Sequence, residues 1–175
     1  MPEKIRIVKI DHEYCDYLRK YDSRVSYNAG LKELRPFVGI LFRIGDMEYY
    51  APLSSPKAKH ANLKNTLDII KIADGKYGIV NLNNMIPVME ENYTEFKLDF
   101  RTEDIAQRKR VFLLQTQLRW LNKNRKRVYD MSFNLYSHYR NNILPRRVKE
   151  RCCNFPLLEE KCVEYSKEQR QKIFC

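Results

Sequence analysis

The sequence predicts an α+β protein, a β-rich part with an antiparallel sheet followed by a helical C-terminal part. Three observations carry this expectation. In the first part of the chain, short β-branched and aromatic runs are broken at Gly-Asp or Asp-Gly pairs, as hairpins are. From Thr102 onward the apolar residues recur every three or four positions, the period of a helix. No strand–helix–strand alternation and no glycine-rich phosphate loop is visible, which argues against a parallel, doubly wound sheet.

In chain order, Ile5-Arg6-Ile7-Val8-Lys9-Ile10 reads as a strand. Asp11 offers an N-cap for a short helix that places Tyr14, Leu18 and Tyr21 on one face. The polar stretch Ser23–Gly30 ends that helix. Residues 37–44 and 47–53 flank Gly45-Asp46 as a first hairpin, and Pro52 predicts that the second strand ends or lies at an edge there. Residues 67–72 and 77–82 flank Asp74-Gly75 as a second hairpin, and residues 85–89 form another short apolar run. The sheet is therefore expected to meander. Val111, Leu114, Leu118 and Leu121 mark one helix face, and Val128, Met131, Leu135 and Tyr139 continue the pattern. Between them Asn122–Arg127 reads equally as a basic helical turn or as a break. Asn154 caps a last helix with Pro156 in its first turn.

A chain of 175 residues suits one domain, residues 1–175, with a core that needs no disulfide staples. No apolar run is long enough to span a bilayer, and the N-terminus lacks a secretory h-region. The five cysteines include the adjacent pair Cys152 and Cys153 and no Cys-x-x-Cys, so reduced thiols in a cytoplasmic protein are expected, with no zinc. The net charge of +11 is lopsided: residues 1–100 contribute +1 and residues 101–175 contribute +10. Such asymmetry points to a polyanion laid across one side of the molecule.

The densest polar cluster runs from Pro52 to His60, with Ser54, Ser55, Lys57 and Lys59 inside it and Lys64 just beyond. Hydroxyls and backbone N–H groups bond phosphoryl oxygens, and ammonium groups offset charge that grows in a transition state. The same composition also makes a solvated turn. RNA cleavage needs little more than this cluster, because the substrate's own 2′-hydroxyl attacks the adjacent phosphorus. No carboxylate cluster suggests a two-metal site, so no cofactor and no metal is expected. Of the three histidines, His60 alone stands beside the cluster, and an imidazole near its ordinary pKa suits proton transfer.

At this cluster the sequence resembles the ToxN/AbiQ family of type III toxin–antitoxin endoribonucleases. The matching stretches are Tyr14 with Tyr17-Leu18, Arg35-Pro36-Phe37-Val38-Gly39-Ile40, and Tyr50-Ala51-Pro52-Leu53-Ser54-Ser55-Pro56-Lys57 with His60. They continue in Gly78-Ile79-Val80-Asn81-Leu82, Met85-Ile86-Pro87, and Cys153-Asn154-Phe155 with Leu157–Lys161. The resemblance implies a Kid/MazF-like half-barrel, a compact twisted antiparallel β-sheet with α-helices packed around it. It also implies RNA cleavage to a 2′,3′-cyclic phosphate and a 5′-hydroxyl, without metal. It further implies a partner: a small repeat RNA antitoxin, usually a pseudoknot, cut by the toxin from a longer precursor and held in a closed protein–RNA assembly, with a frequent role in phage defence. Carried over by residue, Ser55 matches the essential serine, Ser54 its neighbouring hydroxyl, Lys57 the following lysine, Tyr14 a first-helix tyrosine near the cleaved phosphate, and Arg35 a position often held by lysine. His60 is an alternative to Tyr14 for proton transfer. Lys59, Lys64, Arg119, Lys123, Arg125, Lys126 and Arg127 are expected to contact the RNA backbone. Rival readings are a non-catalytic nucleic-acid-binding regulator and a Kid/MazF-like toxin neutralised by a protein.

Overall fold

The computed structural model describes residues 2–27 and 35–175. The α+β expectation holds: the described residues form an antiparallel sheet of eight strands with helices packed around it. Strand β1 (Arg6–Ile10) leads into helix α1 (His12–Arg19), and then come β2 (Phe37–Gly39), β3 (Arg43–Ile44) and β4 (Met47–Ser54). The second hairpin is β5 (Ile69–Lys71) and β6 (Ile79–Asn81), followed by β7 (Ile86–Val88) and β8 (Tyr93–Glu95). Helices α2 (Ile105–Lys123), α3 (Arg125–Arg140), α4 (Arg146–Arg151) and α5 (Phe155–Ile173) complete the chain.

The path through the sheet is β5-β6-β4-β2-β1-β8, with β3 and β7 also paired to β4. It is not the meander that sequence order suggested. Strand β4 is the hub, because its eight residues reach four partners: β3 and β7 along its first half, β2 and β6 along its second. Pro52 therefore lies inside a central strand and not at an edge. The physical reason is a gap in the ladder. Pairing with β7 stops at Tyr50 and pairing with β6 starts at Leu53, so the missing N–H of Pro52 removes no ladder bond on that side.

Tyr14 and Leu18 of α1 are buried as their spacing predicts, but the helix ends before Tyr21, which is exposed under the Lys161 ammonium. Asp11 occupies the N-cap position without a side-chain capping bond. Of the expected Ser23–Gly30 break, residues 28–30 lie outside the described residues. The basic segment between the two central helices is a break, at Asn124, whose Nδ2 donates to the Trp120 carbonyl at 2.8 Å. Asn154 caps α5 as expected, accepting from the Leu157 N–H at 3.2 Å. Strand β8 and helix α4 carried too few periodic residues to be read beforehand.

The core is continuous from the sheet to the helices. It is rich in tyrosine whose hydroxyls all need partners: Tyr49 and Tyr136 both donate to Glu159 of α5, at 2.7 and 2.6 Å. Cys15, Cys152, Cys153 and Cys162 are buried free thiols, so the adjacent pair forms no bridge.

Candidate functional site

Register delivers three polar side chains to one place. Phe37 pairs with Pro52, so two residues earlier on that side Arg35 comes opposite Ser54, the last residue of β4. On the other side Ile79 pairs with Ser54, and Asn81, two positions along β6, shares that face and reaches across diagonally. The result is a small notch. Asn81 Nδ2 donates to Ser54 Oγ at 3.0 Å and Arg35 Nη2 donates to it at 3.4 Å.

This arrangement decides what Ser54 can do. A hydroxyl has two lone pairs and one proton. Both lone pairs of Ser54 point at donors, so its O–H is left to donate outward. Arg35 is half-buried, and among the described residues no carboxylate pairs with it. Burial lowers its pKa from the ordinary guanidinium value, so an anion arriving here restores a favourable environment for the charge. Immediately after Ser54 the chain turns out, leaving Ser55 and Lys57 exposed at the rim, with Lys59 and Lys64 exposed beyond.

The segment is held from beneath by the β5–β6 turn. Gly78, at φ +97°, lies so close to the Ser54 carbonyl that a side chain there has no room, and Gly75, at φ +92°, lies against His60, where a Cβ would come within 2.9 Å of its carbonyl oxygen. Gln117 of α2 donates to the Tyr77 carbonyl at 2.7 Å and ties this turn to the helical layer.

Two of the expected catalytic side chains lie elsewhere. His60 is enclosed, 1% exposed. Its Nδ1 accepts the Lys57 N–H at 3.1 Å while its own N–H donates to the Lys57 carbonyl at 2.9 Å, closing a 3₁₀ turn over Ala58–His60. Burial first, then Lys57 and Lys59, lowers its pKa, so it is a neutral structural imidazole. Tyr14 is fully buried and donates to the Pro87 carbonyl at 2.5 Å. Pro87 pairs with Tyr49, five residues back along β4 from Ser54 and so about 17 Å away at ~3.3 Å per residue. Desolvation raises the Tyr14 pKa well above the phenolic value, which makes it neither a ready acid nor a base. Conversely, Asn81 was missed as a site residue. Its signal was an amide inside the apolar run Gly78–Leu82, a residue type that strands disfavour.

The basic residues expected on RNA divide in two. Arg119 and Arg125 line a groove with Lys4 and Asn122 across the α2–α3 break, a cavity of about 380 Å³. Lys123 and Arg127 are exposed, whereas Lys126 is tied to Asp130 at 2.7 Å one turn along α3. Among the described residues, no three of His, Cys, Asp or Glu gather as metal ligands would.

A sheet whose central strand ends in outward-pointing donors, beside a layer of basic helices, defines a small anion-handling α+β protein. The chain belongs to the ToxN family, toxins of type III toxin–antitoxin systems, whose family model matches residues 6–163. It is 32% identical to the endoribonuclease ToxN of Bacillus thuringiensis subsp. kurstaki, over 93% of this chain and 85% of that one. Against the endoribonuclease ToxN of Pectobacterium atrosepticum the identity is 31%, over 94% and 95%. A chain solved in work on type III systems and selective toxin inhibition by a non-coding RNA pseudoknot superposes with a TM-score of 0.78 at 31% identity, covering 94% of this chain and 99% of that one.

Proposed function

We propose that this chain is a metal-independent endoribonuclease toxin, one domain over residues 1–175, acting in the cytoplasm. The reading is carried by one observation: Arg35 and Asn81 consume both lone pairs of Ser54, so the notch presents donors and positive charge to whatever enters. Family membership and relatives named as endoribonucleases support RNA as that anion. The curled sheet is read as a Kid/MazF-like half-barrel, which superposition on such a toxin tests.

In the proposed reaction the substrate 2′-oxygen bonds to phosphorus and the P–O5′ bond breaks, leaving a 2′,3′-cyclic phosphate. The 2′-hydroxyl proton leaves to solvent, and the Lys57 ammonium delivers one to the departing 5′-oxygen. Ser54 and Ser55 donate to the non-bridging oxygens and hold them in line, while Arg35 offsets the charge that builds on them. Tyr14 and His60 keep supporting roles, in the core and in the turn. The inhibitor is a repeat RNA cut by the toxin from its precursor and held in a closed assembly. A relative's structure concerned with a pseudoknot inhibitor supports RNA over a protein antidote.

Purified chain incubated with a defined RNA in EDTA should cleave it and leave cyclic phosphate and 5′-hydroxyl ends. Loss of cleavage on chelation, or equal cleavage of a strand with 2′-deoxyribose at the cut position, would overturn the reading. The polarity of Ser54 has its own test. Asn81→Ala should lower kcat about 10- to 100-fold with KM little changed, as for a lost orienting bond in a transition-state site. Asn81→Asp should be lower still, because a carboxylate accepts the Ser54 O–H hydrogen bond, turning that donor away from the substrate, and repels phosphate. If the aspartate variant matches or exceeds the alanine variant, Ser54 is not a donor.

A further inference from the structure

Helix α2 turns an unusual face to solvent. Ile105, Arg108, Lys109, Phe112, Arg119 and Lys123 are all exposed and span about 100° of its circumference at ~3.6 residues per turn. Leu114, Gln117 and Leu121 bury the opposite side. Phe112, near the middle of the stripe, is 65% exposed although the apolar inner face is already complete without it.

The charges are unusual as well. Elsewhere on the helical layer some cations have carboxylates within a turn: exposed Lys126 with Asp130, exposed Arg146 with Glu150 and half-buried Lys161 with Glu164. Helix α2 holds five cations and not one carboxylate. Among the described residues Arg108, Lys109, Arg119 and Lys123 have no acidic partner, and the nearby Asp104 is engaged in capping, accepting from Ala106 and Gln107 at 2.9 and 3.3 Å. A second copy of the chain docking symmetrically here would set like charges against each other around Phe112. A polyanion with open aromatic faces would satisfy both the charge and the ring. Double-stranded RNA hides its base faces in the stack, and an unpaired strand offers them.

We propose that this face of α2 binds single-stranded RNA, with Phe112 stacked on an unpaired base and Arg108, Lys109, Arg119 and Lys123 on the flanking phosphates. The proposal rests on the RNA reading above and adds where the strand lies and that it is unpaired. The surface and the notch share a support, since Gln117, on the inner side of α2, bonds the turn that carries Gly75 and Gly78 beneath Ser54–His60.

The test uses the full chain and a short single-stranded oligoribonucleotide whose riboses are 2′-O-methylated, so that it cannot be cut, with 2-aminopurine placed at successive positions. The wild-type chain should quench one position strongly. Phe112→Ala should bind about tenfold more weakly and lose that quench, and Phe112→Trp should restore both. Lys109→Gln and Lys123→Gln should each flatten the salt slope by about 0.7, the release from one single-strand phosphate. The same sequence as a duplex should bind Phe112→Ala and wild type alike. Wild-type affinity in Phe112→Ala, or an equal loss with the duplex, overturns the proposal. So does RNA-free self-association in sedimentation that Phe112→Ala abolishes, which would assign the face to a second copy. Cleavage of unmodified RNA, run in parallel, separates the two readings: failure to cleave with the quench intact removes the nuclease and leaves this surface.

Discussion

Gly78→Ala should cost about 3–4 kcal/mol of folding stability and most of the cleavage activity, the range in which a steric clash adds to backbone strain. Gly78 sits at φ +97°, where a side chain is strained whatever the space. Here there is no space: the added Cβ falls on the Ser54 carbonyl oxygen and comes within 3.1 Å of the Ser55 carbonyl carbon. Those neighbours are backbone, so the way to relieve the clash is to part β6 from the end of β4. That move carries Asn81 away from Ser54 and dismantles the notch. Gly45→Ala is the matched control. It too has a positive φ, +59°, but nothing lies within 4 Å, so only the left-handed penalty of about 1 kcal/mol remains. Urea unfolding at neutral pH measures both. Equal losses in the two variants would mean that the close approach of Gly78 is immaterial.

Arg151→Ala is the second large effect, about 3 kcal/mol, the low end for a buried carboxylate that loses its partner cation, since the Arg151 side chain is itself 45% exposed. Asp68 has no exposed side-chain surface. It receives Arg151 Nε and Nη2 at 2.9 and 3.0 Å and Asn83 Nδ2 at 3.0 Å, so α4, the start of β5 and the turn before β7 are joined through one carboxylate. Burial by itself raises the Asp68 pKa, and the Arg151 hydrogen bonds, with that of Asn83, bring it below the ordinary aspartate value. A depressed carboxylate pKa contributes stability that is present above the unfolded value near 4 and lost as pH falls through the folded one. Without Arg151 the burial cost loses its strongest opponent, so the charged carboxylate contributes less to the variant's stability near neutrality. The gap between wild type and variant should therefore be widest near pH 7 and close below about pH 4. A gap independent of pH would show that Arg151 acts through packing alone.

Much of this was legible beforehand, for reasons that differ by element. The long helices α2, α3 and α5 were visible because a packed helix repeats its apolar face several times, and Asn154-Phe155-Pro156 states the start of α5 outright. Strand β8 was not, because three residues at an edge need no repeating pattern. Pro52 misled because the rule against proline in a central strand assumes a continuous neighbour on both sides, and β4 changes neighbours there.

The site divides along the same line. Ser54, Ser55 and Lys57 stood out because they crowd into a few residues, and local composition is readable without a fold. Tyr14 and His60 were expected beside them from chemistry and resemblance, but burial is a three-dimensional property, and it placed the first at Pro87 and the second inside a turn.

The order of residues alone thus determined the α+β class, the charge asymmetry, the helical periods and the polar corner at the end of a strand, since each depends on neighbours along the chain. Tertiary structure alone decided the strand order around β4, the meeting of Arg35 and Asn81 on Ser54, and the exposure of Phe112 among the cations of α2. Those depend on pairing between segments 19 to 27 residues apart at the notch and on which face of α2 the core consumes. No local pattern encodes either, because a hydrogen bond or a buried face depends on distance in space and not on distance along the chain.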